Sequence, residues 1–209
     1  MSLFIDINMG NIINQSWYLI TKDILTFLLT VAGLIIAGIG LITWKKQIKG
    51  TKEFDTVYNL NYSILKLRDA IRHVRNPAIW PDEDQKAEEY AKSKHPDIEI
   101  IKDSHLSVYE MRWEKITQAA TEMESHLLAA EVLWGSEILK LIRPLNIKIN
   151  ELNIALQQNF RPEFRTKSIK EIHSVIYDIG DGIDNHDAFS QDINKFIKEI
   201  SKYLQSKIS

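Results

Sequence analysis

The chain has 209 residues, with 26 Lys+Arg against 28 Asp+Glu and no cysteine. Disulfides, thiolate metal sites and a cysteine nucleophile are therefore excluded, and the near balance of charge gives no general pull on nucleic acid. At this length one domain buries a core without metal or disulfide staples.

Residues 1–23 read as a short tail of mixed polarity, with Trp17 and Tyr18 near its end. Residues 24–44, ILTFLLTVAGLIIAGIGLITW, carry no charge. That is the length a helix needs to cross a hydrocarbon core, roughly 20 residues. Lys45, Lys46, Lys49 and Lys52 follow at once, whereas Lys22 is the only basic residue before the span. This asymmetry predicts the N-terminus outside and residues 45–209 in the cytoplasm. A cleaved signal peptide does not fit, because a basic leader and a small-residue cleavage site are both missing. Trp17, Tyr18 and Trp44 suit the two interfaces. Within the span Thr26, Thr30, Gly33, Ala37 and Gly40 recur at steps of four and three, a small-residue face along which a second copy of the helix can approach. A homo-oligomer formed through Gly33, Ala37 and Gly40 is the expectation.

After the span, 25 basic residues face 26 acidic ones. Gly50 is a break before residues 51–75, where Val57, Leu60, Ile64, Leu67, Ile71 and Val74 repeat at helical spacing, broadened by Phe54 and Leu65. Asn76-Pro77 stops this helix. Residues 78–104 read as a long loop containing an acidic run, of which 84–94 can form a short charged helix. The longest helix starts near residues 104–108 and buries Tyr109, Trp113, Ile116, Ala120, Met123, Leu127, Ala130 and Trp134, a stripe that reads as core. Gly135-Ser136 and Pro144 interrupt it, and Leu145, Ile149, Leu152 and Leu156 restart the period. A helix over 166–179 with Ile169, Ile172 and Ile176 inward ends at Gly180. A last one carries Phe189, Ile193, Phe196, Ile197, Ile200 and Leu204. No strand alternation occurs. The expected fold is all-α: an N-terminal transmembrane helix followed by a cytosolic bundle of four to five helices.

The densest polar cluster runs from Arg68 to Pro77. Arg68, Arg72 and Arg75, spaced by four and three, share one side of the helix, and with Asn76 they form a candidate binding ridge for a phosphate or an acidic protein partner. The competing reading pairs them with Glu110, Glu114 or Glu131. Arg68 and His73 also resemble the Arg-x4-His element of the HEPN ribonucleases. That resemblance implies attack of a ribose 2′-hydroxyl on the adjacent phosphate, with a guanidinium for the developing charge and an imidazole for the proton.

Asp178, Asp181, Asp184, His186 and Asp187 form an acidic turn. The calcium-loop glycine and terminal glutamate are not in place, and His186-Asp187 resembles the dyad of HD phosphohydrolases without that family's other ligands. Asp187 reads as a helix cap instead. Glu122 and His126, four apart, read as a surface pair. No phosphate-binding glycine loop, nucleophile elbow or zinc spacing occurs, so neither metal nor cofactor is expected.

The layout resembles a group of uncharacterised bacterial single-pass membrane proteins. The likeness lies in the N-terminal span, in residues 67–77 (LRDAIRHVRNP) and in residues 130–135 (AEVLWG). It implies a bacterial inner-membrane protein and assigns no activity. The expected function is a membrane-tethered scaffold, adaptor or sensor acting through protein–protein interaction. The alternatives are a membrane-bound ribonuclease using Arg68 and His73, and an effector that perturbs the membrane.

Overall fold

The computed structural model describes residues 3–94, 104–178 and 187–208, with the side chains of residues 3–16 and 104 left aside. Among the described residues there are six α-helices, one 3-10 turn and no strand. The helices are α1 (Leu3–Val74), α2 (Pro81–Lys94), α3 (Ser104–Trp134), α4 (Glu137–Phe160), α5 (Ile169–Ile176) and α6 (Ala188–Gln205). Gly50, expected to break the chain, lies within α1. The chain divides into two units, Met1–Thr51 and Lys52–Ser209.

In the first unit α1 supplies the one helix, among the described residues, that is long and apolar enough to cross a membrane. Its best 18-residue window has a mean hydropathy of 2.5 and none of it is buried. The threonine hydroxyls here are satisfied within the helix. Thr26 donates to the Lys22 carbonyl, Thr30 to that of Thr26 (2.8 Å each) and Thr43 to that of Ile39 (2.9 Å). These hydroxyls then need no water, as a hydrocarbon setting requires. Gly33 and Gly40 have nothing within 4 Å of where a Cβ would stand.

The second unit is a bundle whose core draws on residues 57–74 of α1 together with α3, α4, α5 and α6. Cross-links fix the directions. Lys66 pairs with Glu122, and Lys115 reaches His73 at 3.1 Å, so advance along α1 is retreat along α3. Ser201 bonds to Asn61, and Arg75 to Ser190, which sets α6 antiparallel to α1 as well. The Gly135 hairpin returns α4 alongside α3, and Lys148 ties α4 to Asp192 of α6 at 2.9 Å. The result is an up-down-up-down ring of four helices. Short α2 packs on α3, and α5 on α4.

Local chemistry explains the boundaries. At Gly135 φ is +77°, a left-handed conformation that costs a glycine nothing, and its N–H closes on the Glu131 carbonyl at 2.8 Å. Pro144 sits inside α4, so the joint lies at Gly135-Ser136 alone. α2 starts at Pro81, three residues before the expected charged helix. Proline suits a first helical position, and Asp82, Glu83 and Asp84 favour the positive end of the helix dipole. Ser168 and Glu171 form a capping box that opens α5, and Asp187 caps α6 by accepting the Ser190 N–H at 2.8 Å. Leu65 packs against the core, but Phe54 and Ile169, read as inward, are exposed. Ile169 is the first residue of α5, before that helix turns its apolar face inward.

Candidate functional site

The Arg68–Pro77 cluster is split by the fold. Arg75 is 1% exposed, whereas Arg72 is exposed and makes no side-chain hydrogen bond or ion pair among the described residues. Arg68 lies against its neighbour Asp69 at 2.9 Å. The reason is helical phase: Arg75 falls one turn beyond Ile71 on the core-facing side, and Arg72 does not. The three guanidiniums therefore present no common surface, and none pairs with Glu110, Glu114 or Glu131.

Arg75 instead joins three elements. Its Nε donates to the Val175 carbonyl (2.7 Å), and Nη2 donates to the carbonyls of Tyr177 (2.9 Å) and Ser174 (3.2 Å), the orphan acceptors at the C-terminus of α5. Nη2 and Nη1 also reach the two oxygens of Asp187 at 2.6 and 3.2 Å. The guanidinium lies 4.6 Å from the centre of the Phe189 ring. All these acceptors converge on one planar fork, which only arginine supplies.

A second arginine holds the opposite side of the same turn. Arg112 of α3 is also 1% exposed. It grips Glu83 of α2 bidentately, both contacts at 2.7 Å, and donates to the backbone carbonyls of Asn76 and Ala78 at 2.6 Å each. The Asn76 side chain accepts the Ala78 N–H at 3.0 Å and so closes the turn after α1. Arg112 belongs to no sequence motif, yet a signal for it exists. It stands three after Tyr109 and four before Ile116, a charge in the buried stripe.

Electrostatics follow from this latch. The hydrogen bonds from Arg112 hold the Glu83 carboxyl below the usual carboxylate range. Burial, with Lys115 and Arg112 nearby, lowers the His73 pKa against the opposing pull of Glu83. Its Nε2 lies 3.6 Å from Glu83 and 3.1 Å from the Lys115 ammonium, the geometry of a neutral ring nitrogen accepting a hydrogen bond from lysine. Arg68 and His73 make no hydrogen bond to each other. Five residues apart, they project about 140° apart around the helix. Within one chain they do not meet.

Comparison with protein-family models, with curated proteins and with solved structures finds no match to this chain.

Beside the latch lies a cleft of about 510 Å³ between α2, α3 and α4. Tyr109, Trp113, Phe160 and Leu156 line its apolar wall, and Asn153 and Gln157 add amides. Tyr109 and Phe160 meet with ring centres 5.3 Å apart. Burial, helped by Tyr177, pushes the Tyr109 phenol up to about 12, so it stays neutral across the physiological range. Glu110, Glu114, Lys94 and Arg161 add charged groups to the lining. Lys94 bonds Glu114 at 3.3 Å and stands 5.2 Å from the Tyr90 ring centre. The Tyr90 hydroxyl also reaches Glu114, at 3.4 Å. Trp113, read as part of the core stripe, is only half-buried because it faces this opening.

Of the acidic turn, Asp181, Asp184 and His186 lie outside the described residues. Asp187 is engaged by Arg75, and among the described residues no three potential ligands cluster as a metal site. Glu122 pairs with Lys66 rather than with His126.

Proposed function

We propose that this chain is a membrane-tethered helical adaptor. The N-terminal span anchors it in a bacterial inner membrane with the N-terminus outside, and the cytoplasmic bundle binds a protein partner through the α2–α3–α4 cleft. What carries the reading is the wholly unburied apolar stretch of α1. Such a surface is costly in water and comfortable in lipid, and the lysine cluster on one flank favours the cytoplasmic side. The bundle adds a reason to favour binding over chemistry. Its buried guanidiniums are spent on carbonyls and carboxylates of the fold, and the open cleft has the size of a ligand pocket.

The test uses the full chain in bacterial membranes. A photo-crosslinking residue replacing Asn153 should yield a discrete protein adduct that is lost when Trp113 is changed to Ala. The chain should resist alkaline extraction, and its C-terminus should resist protease added to spheroplasts. Extraction by alkali would remove the tether, and an adduct pattern unchanged by Trp113→Ala would remove the cleft.

A further inference from the structure

We propose that the cleft receives a basic side chain, the alkyl-ammonium of a lysine on the partner, and that Lys94 occupies part of that site as an internal stand-in. The inference rests on the adaptor reading and gives the partner its chemistry.

Three observations converge. First, Glu110 and Glu114 lie four residues apart on α3, so one helix face presents two carboxylates one turn apart to the cleft. Glu114 is already answered by Lys94, while Glu110 makes no ion pair among the described residues. Once Lys94 is displaced, the two carboxylates face Arg161 as the one cation left in the lining, so the cleft takes a single incoming positive charge. Second, the wall beside these carboxylates is aromatic. Tyr90, Tyr109, Trp113 and Phe160 line it, an aromatic surface of the kind that suits an ammonium and the methylenes of a lysine stem. Third, an ammonium is already seated there. Lys94 stands 5.2 Å from the centre of the Tyr90 ring, one turn before it on α2, and 3.3 Å from Glu114, which supplies a local precedent for the group. Lys94 is the last residue of α2 and its side chain is 52% exposed, so an outside lysine can displace it without opening the core.

The occupant is a single lysine rather than a polycation. Arg161 lines the same cleft with no side-chain hydrogen bond or ion pair among the described residues, and it repels a second positive charge. A lysine next to a neutral or acidic residue fits the charge pattern.

The experiment uses the full chain in lipid nanodiscs, labelled with 5-fluorotryptophan, with the Trp113 resonance assigned through Trp113→Phe. The probe is acetyl-Gly-Lys-Gly-amide, compared with the same peptide acetylated on Nε. The free lysine should shift the Trp113 signal and the acetylated form should not. The Glu110→Gln/Glu114→Gln double variant should weaken binding about tenfold, a loss expected for charge-assisted contacts. Lys94→Gln should tighten it several-fold by removing the competitor. Equal binding of the acetylated peptide, or weaker binding in Lys94→Gln, overturns the proposal. Lys94→Gln lies on an exposed side chain, so the test survives if the double variant fails to fold. A silent lysine peptide together with a Trp113-dependent cross-link overturns the amine assignment and leaves the adaptor standing. The converse result removes the protein partner and supports an amine receptor.

Discussion

Arg75 and Asp187 are 112 residues apart in sequence and share a bidentate ion pair, with Nη2 at 2.6 Å from one carboxylate oxygen. The same carboxylate caps α6, so one contact ends α1, closes α5 and starts α6.

Removing that guanidinium leaves Asp187 half-paired and the carbonyls of Ser174, Val175 and Tyr177 without their donor. Arg75→Leu should destabilise the bundle by about 3–5 kcal/mol, the range for breaking a buried pair from one side. Arg72→Ala, one turn earlier on the exposed face, should change stability by no more than about 0.5 kcal/mol. Urea denaturation followed by circular dichroism compares the two. Equal effects would refute the division of the ridge.

Acid should weaken the fold in two separate windows. His73 has a folded pKa below its ordinary 6.5, so the unfolded chain binds the proton more readily. Its contribution is intact above about 6.5 and is lost as pH falls through the lower folded value. Glu83 is held below 4.5, so its contribution is present above 4.5 and is lost as pH falls further. His73→Gln should flatten the upper slope and Glu83→Gln the lower one. Denaturation midpoints taken every half pH unit would show whether the slopes separate.

Gly135→Ala should cost about 1–2 kcal/mol, since φ is +77° there and an L-residue pays for that conformation. Nothing stands within 4 Å of the added methyl, so the cost is backbone strain alone. Gly135→Asn should recover part of it. Thermal melts of the three forms decide. A neutral alanine would mean the hairpin relaxes freely.

In the span, Gly33→Ile should reduce cross-linking between copies, because a branched side chain prevents close approach along the Gly33, Ala37 and Gly40 face. Unchanged cross-linking in membranes would reject that face as a contact.

Helical periodicity makes the elements legible in the sequence. The Val57–Val74 stripe, the Gly135 joint and the Asp187 cap all depend on residues close in sequence, and local spacing encodes them. The apolar stretch over 24–44 is equally plain, because a long run without a charge is visible in the sequence itself. Helix α2 is half-visible: its acidic first turn shows in the sequence, but Pro81 reads as a loop residue until it is placed at a first helical position.

What only the tertiary structure decided was which charges are inside. Spacing put Arg68, Arg72 and Arg75 on one side of a helix. It did not say that α5 and α6 would return to bury the last of them, because their carbonyls and Asp187 arrive from about a hundred residues away. Arg112 and Glu83 pair between two helices, which the periodicity of neither foretells, and the cleft exists only because α2 folds back on α3 beside the end of α4. Sequence spacing reports neighbours within a helix. Burial of a guanidinium and the shape of a cleft depend on neighbours between helices, and packing alone assigns those.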